Sequence, residues 1–221
     1  MRPAPAPSSR CLLTAIACGL LLASGCTNTD TPDTPPADVQ TAKPLPKVQA
    51  AAPAAKVTLV IKSWKDTEAL IAANKGKVVI VDLWSTSCLP CMKEFPHLVA
   101  LHNRFPAGKI TCISVSCDYE GLEDEPPESK RDQVMDFLKE TQATCTNILL
   151  SDPDTDVWEK IQLAAIPAVY VYDATGKLAK RFDNDAGDYG DEGFSYKKHI
   201  LPMIEQLILG SDNNQTRSPK P

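Results

Sequence analysis

The chain has 221 residues, with 28 acidic against 23 basic side chains and a formal net charge of −5. An acidic chain without a basic cluster is poorly suited to hold a phosphate backbone, so we expect no nucleic-acid partner. Between two segments poor in large apolar residues, 26–56 and 211–221, lie about 150 residues, the usual size of a single domain.

The N-terminus, residues 1–25, has the pattern of an export signal. Two basic residues, Arg2 and Arg10, precede an apolar run over residues 11–23. This run is shorter than a transmembrane helix, which needs about 20 residues. The run ends in LLASGC, which resembles a bacterial lipoprotein processing site with Cys26 as the lipidated residue. Ala23 stands where that pattern has leucine, so ordinary cleavage to a soluble product is the alternative. We expect a lipid-anchored protein of the bacterial cell envelope.

Two segments are predicted to remain unfolded. Residues 26–56 are dominated by Thr, Pro and Ala, and residues 211–221 are almost entirely polar. Neither segment has enough large apolar side chains to bury a core, and the prolines keep the first one extended. Residues 26–56 are therefore predicted to be a linker, residues 57–210 the folded domain and residues 211–221 a tail.

Periodicity predicts alternating strands and helices through the domain. The predicted strands cover residues 57–61, 78–83, 110–117, 147–150, 168–172 and 177–182, and the predicted helices cover 64–74, 92–105, 130–141, 154–161 and 194–209. The continuous apolar run over 78–83 is typical of a strand buried on both faces of a parallel sheet. The DATG turn joins the last two strands as a hairpin. This order predicts an α/β domain with a parallel core and an antiparallel edge.

A cysteine pair, Cys88-Leu89-Pro90-Cys91, follows the buried strand directly. The pair could be a redox couple, a metal clip or a structural disulfide. A helix beginning near Pro90 would place Cys88 at its N-terminus, where unpaired N–H groups stabilise a thiolate. Cys91 would lie one turn further in, more buried and suited to resolve a mixed disulfide.

These motifs resemble the thioredoxin fold, and more narrowly the membrane-anchored TlpA/ResA-type proteins. The resemblance implies a mixed central sheet flanked by helices, with an N-terminal strand–helix extension. It also implies that the proline in Ala165-Ile166-Pro167-Ala168 is cis and faces the cysteine pair. By the same resemblance, a substrate groove is expected at Trp84, Leu89, Pro90 and Ile166.

Two acidic residues are candidates for proton transfer. Asp82 lies six residues before Cys88, where thioredoxins have a buried aspartate, and such an acid can take a proton from Cys91. Glu94 matches a glutamate of the TlpA/ResA pattern that is given a similar role. For Glu94 a plain helix-surface position is the alternative, and for Asp82 a structural role.

The predicted function is an extracytoplasmic protein-disulfide oxidoreductase. The resemblance implies reduction of disulfides in partner proteins, with a second redox protein as electron donor. Ser87 and the dipeptide Leu89-Pro90 depart from the thioredoxin pattern, so the redox poise does not carry over. The alternatives are a Cu(I)-binding assembly factor and a thiol peroxidase. Val81 stands where the peroxidase pattern needs proline, and the copper proteins have a CxxxC spacing.

Three further cysteines lie in the domain. In the fold that the resemblance implies, Cys117 ends one strand and Cys145 leads into the next, so a Cys117–Cys145 disulfide is predicted. The alternative is that both of them and Cys112 are buried free thiols. His97, His102 and His199 do not share the spacing of a metal site, so no metal and no cofactor are expected.

Overall fold

The computed structural model describes residues 56–106, 108–185 and 187–215. The predicted export signal, the lipidation site Cys26 and nearly all of the predicted linker lie outside these residues. Within the part of the chain that the structure describes, no helix combines the length and the apolar character needed to cross a membrane.

The domain is built on one mixed sheet of six strands, in the order β1-β4-β3-β2-β5-β6. β1, β4, β3 and β2 are mutually parallel, whereas β5 runs antiparallel to β2 and forms the edge hairpin with β6. The parallel core and the antiparallel hairpin confirm the predicted fold class. The strands are β1 Val60–Lys62, β2 Val78–Trp84, β3 Ile110–Ser116, β4 Thr146–Leu150, β5 Ala168–Tyr172 and β6 Leu178–Phe182.

Five α-helices cover the two faces of the sheet. The face that packs against α2 and α3 is called the α2 face, and the face that packs against α1 and α4 the α1 face. The C-terminal segment also covers the α2 face, through Ile200 and Ile204. The helices are α1 Trp64–Ala73, α2 Leu89–Arg104, α3 Arg131–Glu140, α4 Asp154–Ile161 and α5 Leu201–Gln215; a 3₁₀ turn, Pro127–Lys130, precedes α3, and a π-helical turn, Tyr196–Ile200, precedes α5.

Strand β2 explains why its sequence is a continuous apolar run. All seven of its residues are buried, because helices cover both faces of the sheet and β2 lies between β3 and β5. Ile80 and Trp84 point to the α2 face, and Val79 and Val81 to the α1 face. By this alternation Asp82 lies on the α2 face, in the middle of the hydrophobic core.

The ends of the domain differ from the prediction. β1 begins three residues later than predicted, at Val60. α5 continues to Gln215, five residues into the segment predicted to be a tail, and the Ser211 hydroxyl donates a hydrogen bond to the Leu207 carbonyl oxygen at 2.8 Å. The polar Ser211 side chain is thus accommodated in the helix by a bond to a carbonyl of the preceding turn.

Candidate active site

The cysteine pair lies at the start of α2. Cys88 is the N-cap residue, and its sulfur accepts a hydrogen bond from the Cys91 backbone N–H at 3.3 Å. Pro90 fits the first turn, where no N–H is needed. The two sulfurs form a disulfide, with 5.3 Å between the Cα atoms. Cys88 is partly exposed and Cys91 is buried, as the sequence predicted for an attacking and a resolving cysteine.

A cavity of about 550 Å³ opens beside Cys88. Leu89, Pro90 and Ile166 form an apolar wall, and the Leu89 side chain is 78% exposed. The rest of the lining is mostly polar, and its charged residues are the three acids Asp118, Glu120 and Asp154 and the single base Lys130. Three of the four predicted groove residues therefore do line a cavity next to the cysteine pair.

Trp84, the fourth, does not line the groove. Its side chain is fully buried on the α2 face, where the ring lies 4.7 Å from Phe95 and 4.8 Å from Phe137 between centroids. The indole N–H donates to the Ser114 hydroxyl at 2.9 Å. Trp84 is the last residue of β2, and the alternation of the strand directs it into the core. Its role as a groove residue was wrongly predicted.

The Ile166–Pro167 peptide bond is cis. Pro167 immediately precedes β5, and Ala168 of β5 pairs with Leu83 near the end of β2. This register places Pro167 at the C-terminal end of β2. The loop that leads to Cys88 begins at the same end. The cis-proline and the cysteine pair therefore lie at the same end of β2.

The loop between β2 and Cys88 is held by Asp118. The Asp118 carboxylate accepts hydrogen bonds from the Thr86 backbone N–H at 2.9 Å and from the Ser116 hydroxyl at 2.6 Å. The Thr86 hydroxyl also donates to Asp118, and the Gln133 side-chain amide donates to Thr86. No sequence pattern indicates this arrangement, because Asp118 follows β3 and Thr86 follows β2, and the two residues come together only when these strands pair.

Asp82 is 4% exposed and lies among apolar side chains. Burial raises the pKa of Asp82 to about 7, because the charged form is poorly solvated there. A hydrogen bond from Tyr196 opposes that rise in pKa, and the nearby charge of Glu94 adds to it. Cys91 is buried in the hydrophobic cluster on the same face of the sheet. An acid of this pKa can exchange a proton near neutral pH.

Tyr196 connects the two candidate acids and was missed by the sequence analysis. Its hydroxyl donates a hydrogen bond to Asp82 Oδ2 at 2.6 Å, and its backbone N–H donates to Glu94 Oε2 at 3.0 Å. The Glu94 side chain is 23% exposed, so it is neither buried nor a free surface residue. No local signal identifies Tyr196, which lies 114 residues from Asp82 in the chain.

The predicted Cys117–Cys145 disulfide is wrong. Cys117, Cys145 and Cys112 are all free and buried. β3 and β4 are parallel, and Ile113 pairs with Thr146, so the residue before β4 lies opposite Cys112 and not opposite Cys117. Cys117 belongs to the α1-face cluster and Cys145 to the α2-face cluster. Burial raises the pKa of Cys117 and of Cys145 to about 12, so both stay protonated.

Two of the three histidines, His97 and His199, take part in packing and local hydrogen bonds. The His97 ring stacks on Tyr196, and His199 Nδ1 accepts a hydrogen bond from the Ser195 backbone N–H at 2.9 Å. Among residues 56–106, 108–185 and 187–215, no three His, Cys, Asp or Glu side chains converge as metal ligands do.

Comparison with known proteins places this fold and site in a family. The family model described as "AhpC/TSA family" matches residues 48–181, more than half of the chain. The chain therefore belongs to the AhpC/TSA family. Its thioredoxin-like fold, with the disulfide at the start of α2 and the cis-proline before β5, confirms the resemblance drawn from the sequence.

The chain is also similar to several thiol–disulfide proteins. It is 24% identical over 107 residues to "Sporulation thiol-disulfide oxidoreductase A" of Bacillus subtilis. This alignment covers 48% of the present chain and 59% of that protein. It is 27% identical over 106 residues to "Thiol-disulfide oxidoreductase ResA" of the same organism, covering 48% and 52%. "Thiol:disulfide interchange protein HelX" of Rhodobacter capsulatus is 26% identical over 136 residues, covering 62% and 64%. The chain spans about half the length of the first two relatives.

Proposed function

We propose that the protein is a thiol–disulfide oxidoreductase that reduces disulfides of partner proteins through Cys88 and Cys91. The observation that carries this proposal is the disulfide at the N-terminus of α2, with one sulfur partly exposed beside a cavity and the other buried. The names of the relatives support the same chemistry.

The first half of the reaction begins with the reduced pair. The Cys88 thiolate attacks one sulfur of the partner disulfide, and a bond forms between Cys88 and that sulfur. The partner's second sulfur leaves as a thiolate and takes a proton from water. The N-terminal end of α2 stabilises the Cys88 thiolate before attack. In this proposal Pro167 helps to align the partner's backbone against Cys88.

The second half resolves the mixed disulfide. The Cys91 thiol gives its proton to the Asp82 carboxylate, and the Cys91 thiolate attacks the sulfur of Cys88. The Cys88–Cys91 disulfide forms while the partner's first sulfur leaves as a thiolate, which Asp82 or water reprotonates. Two electrons pass from the cysteine pair to the partner disulfide, and a dithiol donor protein must restore them. Glu94 acts on this step through the pKa of Asp82.

The partner segment is proposed to lie in the cavity beside Cys88. Leu89, Pro90 and Ile166 offer contact to apolar side chains next to the partner's disulfide. The export signal and the lipidation of Cys26 read from the sequence would place this chemistry in the bacterial cell envelope, where substrate disulfides persist.

The Cys91→Ser variant tests the proposal, because it removes the resolving sulfur and leaves the attacking one. We expect the reduced variant to release one equivalent of coloured thiolate from an aromatic disulfide, whereas the wild-type chain releases two. The mixed disulfide on Cys88 should then persist, and the variant should retain disulfide-linked partner proteins on a non-reducing gel, where mass spectrometry identifies them.

The matched control is the double variant Cys88→Ser/Cys91→Ser, which gives the background from the other cysteines of the chain. A Cys91→Ser chain that releases no more thiolate than this double variant would show that Cys88 does not attack disulfides. Tight stoichiometric binding of Cu(I) by a wild-type chain that releases no thiolate would instead favour a copper carrier.

A further inference from the structure

Tyr196 lies in a rare type of helical turn. It is the first residue of the π-helical turn Tyr196–Ile200, which precedes α5 on the α2 face of the sheet. Its side chain is 3% exposed, and its hydroxyl reaches Asp82 in the middle of β2. Single π-helical turns occur frequently at functional sites.

The hydrogen bond between Tyr196 and the ionised Asp82 carboxylate has only one possible direction. Burial first, and then the neighbouring Asp82 charge, raises the pKa of Tyr196 well above its ordinary value, so its hydroxyl stays protonated. Tyr196 therefore donates and Asp82 Oδ2 accepts, at 2.6 Å. A hydrogen bond to a charged acceptor is short and strong, and it favours the ionised form of the acid.

Glu94 holds Tyr196 from the other side. Its carboxylate accepts a hydrogen bond from the Tyr196 backbone N–H at 3.0 Å, which ties the π-helical turn to the second turn of α2. The His97 ring, also on α2, stacks on the Tyr196 ring with 6.4 Å between centroids. The tyrosine is thus fixed against the same helix that carries Cys88 and Cys91.

The titratable groups around Asp82 come from several elements. Glu94 on α2 raises the pKa of Asp82, and Asp82 in turn acts on three buried thiols, Cys112 on β3, Cys117 after β3 and Cys145 before β4. Burial raises the pKa of all three thiols, so they stay neutral near pH 7. Of these groups, Tyr196 and Glu94 set the ionisation of Asp82.

We propose that Tyr196 is a positioning residue for the resolving step, because its hydroxyl holds Oδ2 of Asp82 and leaves Oδ1 to take the proton of Cys91. The inference rests on the proposed function, since it concerns the proton transfer of that reaction. By stabilising the Asp82 carboxylate, Tyr196 keeps the resolving step active at neutral pH.

The Tyr196→Phe variant removes the donor and keeps the ring. We expect the midpoint of the Asp82 titration, followed by carboxyl ¹³C NMR, to move upward by about one to two pH units. The release of the second thiolate equivalent from the aromatic disulfide should slow about tenfold at pH 7 and recover near pH 9. The release of the first equivalent should not change, because Cys88 does not depend on Asp82.

Tyr170→Phe is the matched control, since Tyr170 is a buried tyrosine on the α1 face whose hydroxyl has no hydrogen-bond partner within the described residues. It should leave both phases of thiolate release and the Asp82 midpoint unchanged. A Tyr196→Phe chain with the wild-type pH profile would overturn the inference while leaving the proposed function intact. A wild-type chain that releases neither equivalent would instead refute the proposed function.

If the Tyr196→Phe variant does not fold, the Tyr196 hydroxyl proton of the wild-type chain provides the test. We expect a slowly exchanging proton NMR resonance whose chemical shift follows the titration of Asp82, with its midpoint near 7. A hydroxyl resonance that does not change between about pH 5 and pH 9 would overturn the inference.

Discussion

Replacing Cys88 by serine is expected to abolish the reduction of disulfides. The rate at which the reduced chain reacts with the aromatic disulfide should fall at least about a thousandfold, because the hydroxyl cannot replace the thiolate as nucleophile. Cys91 cannot take over the attack, since its side chain is only 3% exposed. Both phases of thiolate release should be lost together, whereas Cys91→Ser should lose only the second.

Cys117→Ala is the matched control for the Cys88 substitution. Cys117 lines the same cavity, but it is buried and burial raises its pKa to about 12. Its removal should leave both phases of thiolate release within about twofold of the wild type. Loss of the first phase in Cys117→Ala together with its retention in Cys88→Ser would mean that the attacking cysteine has been misidentified.

Asp82→Asn is expected to slow the resolving step and leave the attack by Cys88 unchanged. Asparagine keeps the size of the side chain and an oxygen that can accept the Tyr196 hydrogen bond, but it cannot take a proton from Cys91. The second phase of thiolate release should slow by about a hundredfold or more at pH 8. In the wild type this phase should accelerate as pH rises through about 7, where Asp82 ionises, and in Asp82→Asn this dependence should disappear.

The same substitution is expected to stabilise the fold at high pH. The Asp82 pKa rises from 3.8 to about 7 on folding, so the folded chain holds a proton that the unfolded chain has released. The contribution of Asp82 to stability is therefore fully present below pH 4 and is lost as pH rises through about 7. Chemical denaturation should show Asp82→Asn gaining up to about 4 kcal/mol over the wild type between pH 4 and pH 8.

Glu94→Gln is the comparison variant for Asp82→Asn. Glutamine keeps an acceptor for the Tyr196 backbone N–H and removes the charge that raises the Asp82 pKa. In Glu94→Gln the second phase of thiolate release should persist, and the pH at which this phase accelerates should be lower than in the wild type. An unchanged second phase in Asp82→Asn, or a stability difference from the wild type that is equal at pH 4 and pH 8, would exclude Asp82 as the proton acceptor.

A buried acid such as Asp82 lowers the stability of the folded chain, so its presence in β2 points to a role in function. Asp82 reduces the stability of the folded chain above pH 7, and a valine at this position would continue the apolar run of β2 without that cost. A residue that is unfavourable for stability at its position in the fold is expected at functional sites. The proposed proton transfer is supported both by the pKa of Asp82 and by its position on the α2 face of the sheet, where Cys91 is also buried.

The sequence predicted the elements whose signals are local. The apolar run of β2, Pro90 in the first turn of α2 and the turn between β5 and β6 each depend on a few adjacent residues, and all three lie where the patterns indicated. The cis form of Pro167 followed from the resemblance to the thioredoxin fold, and the structure confirms it.

The errors arose where side-chain direction or strand orientation decides the outcome. Trp84 ends β2, and only the alternation of that strand shows that it points into the core and not into the groove. Cys117 and Cys145 lie at opposite ends of two parallel strands, so closeness in the order of elements did not mean closeness in space. Tyr196 could not be found at all, because its contact with Asp82 spans 114 residues of the chain.

The redox equilibrium of the Cys88–Cys91 pair tests most directly whether the pair is a working couple. The chain is equilibrated in glutathione and dithiothreitol buffers, quenched with acid and alkylated, and the state of the two cysteines is read by mass spectrometry. We expect a single two-electron transition between about −270 and −120 mV, the range of known thiol–disulfide couples. A pair that stays oxidised down to about −300 mV and below would be a structural disulfide and would contradict the proposed function.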